Sequence, residues 1–410
     1  MAENNNKRLF KYRMLAPLWI AIFIDVLGFT ILFPLVGFFK GIFQTNDIVI
    51  GLIFSVNAMF GFVFGPILSK LSDKYGRKPM LLISQFGTLL AFVLTAFSST
   101  LWMLVIARMI DGMFGGNFPI AKAIISDAVP PKDRGIQMAN VGIAHVLASL
   151  IGPAIGGFFF IISFDLLGLG LFAAGLTMIT ILMTTFMLKE TWPKEKRLHY
   201  HKVKTEVTLK VRENKNALFM LTLWGFHTIS FTIVMSSLSF FSVNVLNLSV
   251  LDVSYVFMIS GIFRAGVRFT LFKPTIKKLG ESNAIRLGLV IFFVSFFLIG
   301  FSDSVIVIMI IFMFVSFAAS LTRGPMNSKI SQTASPKIQG KINGLSSGLD
   351  SIAQIIGPLA GAFIISTLPP YWLGIIVALI ALPAMIMSFQ KIEKKKYFPT
   401  ETIINHQMDK

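Results

Sequence analysis

Ile151-Gly152-Pro153-Ala154-Ile155-Gly156 recurs 205 residues further on as Ile356-Gly357-Pro358-Leu359-Ala360-Gly361, half the length of a 410-residue chain. The same offset pairs Gly135 with Gly340. Outward from both copies run apolar stretches of roughly 20 residues, the length that crosses about 30 Å of hydrocarbon as helix. They predict twelve spans, over 15–39, 47–69, 79–99, 101–127, 135–162, 165–188, 217–243, 250–272, 282–301, 304–332, 340–366 and 370–390. Six precede and six follow a Lys-rich segment. The expected fold is therefore an all-α polytopic membrane protein of two six-helix lobes, 1–188 and 217–410, joined by a solvated linker, 189–216. Equal orientation of the halves makes the repeat parallel, with an axis along the membrane normal, the arrangement of two-lobed secondary transporters whose site lies between the lobes.

Composition agrees, with 55% hydrophobic and 14% charged residues. The net charge of +18 would suit nucleic acid, but its placement excludes that partner. Lys7, Arg8, Lys11, Arg13, Lys70, Lys74, Arg77, Lys78, Lys132, Arg134, Lys273, Lys277, Lys278, Lys337 and Lys341 all fall on the side of the N-terminus. So do the linker and the tail Lys391, Lys394, Lys395 and Lys396. The opposite loops hold Lys40 and otherwise Asp47, Asp165, Asp252 and Asp303. This is the asymmetry of a plasma-membrane protein, of the prokaryotic inner-membrane kind, with both termini cytoplasmic. The first apolar stretch is too long for a signal-peptide core and has no small-residue cleavage site after it, so it is kept as a span.

The chain has no cysteine, which excludes disulfides, thiolate metal sites and thiol nucleophiles. No catalytic triad, phosphate loop or metal-ligand constellation appears. His199-x-His201 lacks the further ligands a metal would need. The chain reads as no enzyme, with no metal and no cofactor, and as a monomer whose partners are a small-molecule substrate and the bilayer.

Between spans 2 and 3 the sequence reads Gly65-Pro-Ile-Leu-Ser-Lys-Leu-Ser-Asp73-Lys-Tyr-Gly76-Arg77-Lys78. A glycine at 65 lets its helix pack closely, Asp73 can accept from backbone donors at a helix end or from Arg77, and Gly76 permits a tight turn. Span 4 carries Arg108-x-x-x-Gly112, span 5 Gly152-Pro153-x-x-Gly156-Gly157, and span 1 Asp25-x-x-Gly28 with Pro34. Between spans 4 and 5 stands Asp127-x-x-x-Pro131-x-x-Arg134-Gly135. Together these motifs resemble the major facilitator superfamily, and within it the tetracycline and multidrug proton antiporters. The resemblance covers essentially the whole chain and is sharper in the first half. After span 8, Lys273-Pro-Thr-Ile-Lys-Lys-Leu-Gly280-Glu281 lacks the Asp and the Arg-Lys pair, so the full gate motif (Gly65, Asp73, Gly76, Arg77, Lys78, Asp127, Arg134) is expected in the first lobe alone. Gly152, Pro153, Gly156 and Gly157, with Gly357, Pro358 and Gly361, are expected to pack closely and bend.

A charge at the bilayer centre costs roughly 3 kcal/mol or more, so intramembrane ionisable groups are functional candidates. Asp25, His145, His227 and Asp350 each lie some 10 residues, roughly 15 Å, from the cytoplasmic end of their spans. Arg108 and Asp111 reach the same layer. Asp25 is the expected proton carrier, because a carboxyl in a poorly hydrated cavity can load and release protons as access changes. Arg108 is either its switching partner or the other half of a fixed ion pair. The repeat places His145 opposite Asp350, as a second proton station or as two groups bonded to separate partners. Arg264, Arg268, Arg323, Lys329 and Lys122 read as anchors whose long side chains snorkel.

The resemblance implies a central cavity lined by spans 1, 4, 7 and 10, hence by Phe29, Phe33, Asn117, Phe118, His227, Phe231, Ser236, Met326 and Asn327. Phe and Met suit a bulky, greasy substrate. It further implies alternating access and proton-coupled export of an amphipathic compound or drug, protons being the coupling ion. The alternative on the same fold is a carrier of one metabolite, sugar or lipid-like solute, by uniport or symport.

Overall fold

The computed structural model describes residues 15–163, 166–195, 214–333 and 339–390. The basic termini, Asp165, Lys337, His199 and His201 lie outside the described residues, as do the side chains of Lys132, His145, Arg268 and Lys273.

In hydrocarbon every backbone N–H and C=O must be satisfied within its own segment, so apolar runs of this length become helices. α1 (Ala16–Thr30) continues through a 3-10 stretch (Phe33–Phe38) into the short α2 (Phe39–Ile42). The change of pitch falls at Pro34, which lacks a backbone N–H and crowds the preceding turn. α3 (Asp47–Tyr75), α4 (Arg77–Ala96), α5 (Leu101–Met113), α6 (Asn117–Ala128), α7 (Pro131–Ser163) and α8 (Leu166–Met187) complete the first lobe. The second holds α9 (Lys215–Asn244), α10 (Val250–Thr270), α11 (Phe272–Ile299), α12 (Val305–Gln332), α13 (Gln339–Thr367) and α14 (Tyr371–Ser388). Among the described residues, ten stretches are long and apolar enough to cross a membrane.

The other two of the twelve predicted spans depart from the sequence reading. Span 4 is not one helix; it breaks over Phe114–Gly116 into α5 and α6. The break is held by α4: the Ser84 hydroxyl donates to the Phe114 carbonyl and accepts from the Gly116 N–H at 3.1 Å. A side chain from a neighbouring helix thus satisfies backbone groups that the break would strand. Span 5 begins earlier than expected, at Pro131, where a proline suits the first helical turn.

Helix packing repeats between the halves as the sequence repeat requires. In the first lobe α1 packs on α7, α3 on α5 and α4 on α8. The matching pairs of the second are α9 on α13, α10 on α12 and α11 on α14. Across the lobes, α7 meets α10 and α13 meets α3, again a symmetric pair. The outward faces are greasy: Trp102 is 74% exposed and Phe186 81%, as expected of side chains that meet lipid.

The two ends of the bundle differ. At the end carrying the α3–α4 turn and the linker, here the linker end, the first-lobe core (Leu15, Leu18, Met80, Ile120, Ile124) and the second-lobe core (Met220, Trp224, Ile285, Met326, Ile342) are separate clusters. At the far end they merge: Phe240 and Ala362 of the second lobe join Ile31, Leu35, Phe39 and Ile50 of the first. Polar contacts seal that end. The Gly37 N–H donates to Ser239 Oγ (2.9 Å), whose hydroxyl donates to the Pro34 carbonyl (2.8 Å). Asp47, 6% exposed, accepts from Lys40 (3.3 Å), Asn244 (2.7 Å) and Ser366 (3.5 Å), and Lys40 also donates to Asn244. Among the described residues the lobes share a core and polar contacts at the far end, whereas at the linker end each keeps a core of its own.

Candidate functional site

Three constellations of polar side chains lie inside the bundle, and a fourth closes the first lobe at the linker end.

The first surrounds Asp25, half-way along α1. Its Oδ1 accepts from Asn117 Nδ2 at 2.9 Å. A small polar pocket around it is lined by Gln85 and Thr88 of α4, Asn117 of α6, and Thr177 and Thr180 of α8, with Ala21 and Ile24. Because α6 starts at Asn117, the break in span 4 is what aims this amide at Asp25. Among the described residues Asp25 makes no ion pair. The fixed Asp25–Arg108 ion pair is not formed in this structure, where Arg108 has other partners.

Arg108 instead belongs to a second group. Wholly shielded from solvent on α5, it donates to Asp111 at 3.2 Å and to Thr95 Oγ1 of α4 at 2.7 Å. Asp111 also accepts from Asn57 of α3 at 3.0 Å. Three residues apart on a helix, the cation and the carboxylate share a face. Gly112 lets α3 come close enough for this network, since a Cβ there would sit 2.3 Å from the Asn57 carbonyl oxygen.

The third group lies in the second lobe. Asp350 of α13 accepts from Thr228 Oγ1 of α9 at 2.8 Å, with Arg323 of α12 at 3.8 Å. The Arg323 guanidinium stands over the rings of Phe231 (5.1 Å) and Trp224 (5.8 Å). Expected from sequence as a snorkelling anchor, it lies over these rings beside Asp350 with 42% of its side chain exposed. The His145 side chain lies outside the described residues, so of the expected pair only Asp350 is placed.

At the linker end Arg77 donates to Asp73 (2.7 Å), Asp127 (2.8 Å) and Ser72 Oγ (2.6 Å), and its guanidinium covers the Trp192 ring. Gly76 turns the chain at φ 111°, a conformation glycine alone adopts freely. Gly280, at φ 75°, keeps the same turn in the second half, where the Asp and Arg-Lys are missing. Lys78 donates to the Thr185 carbonyl, and Arg134 to the carbonyls of Ser126 (2.7 Å) and Val129 (3.2 Å), closing the end of α6. Gly65 is not forced by packing, as a Cβ there would find its nearest atom at 3.9 Å. Glu190 was not anticipated: its carboxylate accepts from the backbone N–H groups of Arg77 (3.1 Å), Lys78 (3.2 Å) and Trp192 (2.8 Å).

The expected cavity lining divides. Phe29 and Phe33 form an edge-on pair at 5.0 Å, and Phe33 reaches Phe257 of α10 across the lobes. Phe118 and Asn327 are exposed. His227 is 2% exposed, packed against Phe292 at 4.9 Å, and Met326 is wholly buried; both turn into the second-lobe core instead of lining the space between lobes. Phe231 is 7% exposed, and the Ser236 hydroxyl is bonded to the Thr232 carbonyl at 2.8 Å.

The glycine-proline motifs press on both neighbours. A Cβ at Gly156 would lie 2.0 Å from the Ile31 carbonyl oxygen of span 1, and one at Gly157 1.8 Å from Ser254 Oγ of α10. In the repeat, a Cβ at Gly361 would lie 2.1 Å from Ser237 Oγ of α9, and one at Gly357 2.7 Å from Thr232.

Residues 18–272 and 269–403 match the family described as Major Facilitator Superfamily. The class H tetracycline resistance protein of Pasteurella multocida is 28% identical, over 93% of this chain and 96% of its own length. Multidrug resistance protein MdtG of Proteus mirabilis is 28% identical, over 84% of this chain and 87% of its own. The crystal structure of the human organic anion transporter MFSD10 (TETRAN) covers 92% of this chain and 99% of that one, with a TM-score of 0.69 and 22% identity.

Proposed function

The chain belongs to the major facilitator superfamily and is a transporter, not an enzyme, and from that membership we propose that it works by alternating access as a proton-coupled exporter of small amphipathic compounds. One observation carries the coupling: Asp25 stands in a small polar pocket of the first lobe, bonded to Asn117 and, among the described residues, to no cation. A carboxyl so placed can bind a proton at little electrostatic cost and give it up when water reaches it. The Asp25–Asn117 bond ties this proton site to the start of α6, so protonation, which removes an acceptor, is felt at the break in span 4. The other charge pair, Arg108 with Asp111, is the fixed frame behind it.

With the basic residues inside, the linker end faces the cytoplasm and the observed state receives substrate from there. Names of the relatives favour export of drug-like compounds. The test uses proteoliposomes loaded with a pH-sensitive dye under an imposed proton gradient. Addition of a transported compound dissipates the gradient, and Asp25→Asn abolishes this while leaving substrate exchange at zero gradient. Saturable uptake of a single metabolite that ignores pH would establish the uniport alternative in its place.

A further inference from the structure

We propose that the substrate site on the second lobe takes the anionic group of an aromatic amphiphile, a carboxylate or sulfonate, at Arg264 and Arg323. The inference rests on the transport reading above for what happens after binding, but its evidence is separate.

Arg264 of α10 has its Nε shielded from solvent and makes no hydrogen bond or ion pair among the described residues. A guanidinium carries five N–H donors, and leaving them unmet inside a protein costs free energy unless an acceptor arrives. The charge nearest enough to act on it is another cation, Arg323. Arg323 also donates no close hydrogen bond: its approach to Asp350 is 3.8 Å, while Asp350 is engaged at 2.8 Å by Thr228. From the first lobe comes a third cation, Lys122, whose ammonium lies 4.3 Å from the Phe118 ring centroid and which is attracted electrostatically to Asp350 across the gap. Arg323 and Lys122 therefore share one carboxylate that is already hydrogen-bonded elsewhere, and Arg264 has no carboxylate of its own.

The surroundings choose among anions. Trp224 and Phe231 under Arg323 are buried in the second lobe, and the ring open beside the positive charge is Phe118, 37% exposed, under Lys122 of the first lobe. Inorganic phosphate would leave that ring unused. An aromatic carboxylate or sulfonate would lay its ring against Phe118 and bring the planar acceptor that a guanidinium fork fits. Solvent reaches this group, with 42% of the Arg323 side chain exposed, and at the linker end each lobe keeps a core of its own. A lipophilic cation would have to approach all three positive charges with only Asp350 to offset them.

The test is binding to the purified full-length protein in detergent, read by the polarisation of carboxyfluorescein, with ethidium as an aromatic ring system of opposite charge. The expected result is saturable carboxyfluorescein binding, weakened roughly tenfold in R264Q and in R323Q and unaltered in K278Q, which removes an equal charge from an exposed site. Should the arginine variants fail to fold, the wild type alone decides: naphthalenesulfonate displaces the dye and naphthyl trimethylammonium does not. Ethidium bound in preference to carboxyfluorescein, displacement by the ammonium compound, or unchanged affinity in both arginine variants overturns the proposal. Carboxyfluorescein that binds as expected but is never moved by a proton gradient leaves the anion site standing and removes the coupled-export reading.

Discussion

At the scale of single residues, Arg108 and Asp111 form a buried pair in which each member is affordable only beside the other. Removing the cation strands a carboxylate in the bundle, which costs about 3–5 kcal/mol. Arg108→Leu is therefore expected to lower the melting temperature in detergent strongly, and a second change, Asp111→Leu, to restore much of the loss. Equal melting of wild type and single variant would show that water or Asn57 already neutralises Asp111. The sequence made these residues visible by type, since an arginine or carboxylate inside a span demands a reason. Their partners were not visible. Asp25 pairs with Asn117, expected only as a cavity residue and aimed by the break in span 4, and Arg108 with Thr95, a neutral polar residue of unremarkable hydropathy on α4. His227 and Met326 show the same blind spot in reverse, because a small rotation of a helix decides between cavity and core.

At the scale of elements, the α3–α4 turn is held by Glu190, which closes the N-terminus of α4 from the start of the linker. A capping carboxylate is worth about 1 kcal/mol, with a further contribution from the helix dipole. In Glu190→Ala the first turn of α4 should exchange amide hydrogens faster while α8 keeps its protection; uniform loosening of the lobe would contradict a local cap. The glycines of α7 make a second case. Gly157→Ala drives a methyl group into Ser254 of the other lobe, whereas a Cβ at Gly175 would meet nothing within 4 Å. Gly157→Ala is expected to part α7 from α10 and slow transport, and Gly175→Ala to leave it unchanged. If the two variants behave alike, close approach at the seam is not needed for the cycle.

At the scale of the whole molecule, two lobes with matching helix pairs meet through the symmetric seams α7 on α10 and α13 on α3, and Asp47 ties the far end shut through Lys40, Asn244 and Ser366. Asp47→Ala should release that end. Spin labels at Ile42→Cys and Leu251→Cys, both exposed and introduced into a chain with no cysteine of its own, would show a longer and broader distance distribution in the variant. An unchanged distribution would mean that the apolar contacts of Phe39 and Phe240 hold the seal unaided. Helical spans, their approximate limits and the two-fold repeat were all legible in the amino-acid sequence, because hydrocarbon thickness and backbone hydrogen bonding leave an apolar run of that length few alternatives. The repeat even announced which glycines would touch a neighbour. Which end is sealed, which polar residues answer each buried charge, and that Arg323 stands beside Asp350 over the rings of Phe231 and Trp224 were decided by tertiary structure alone. Those outcomes depend on helix rotation and on contacts between residues up to 319 positions apart, and neither periodicity nor residue type encodes them locally.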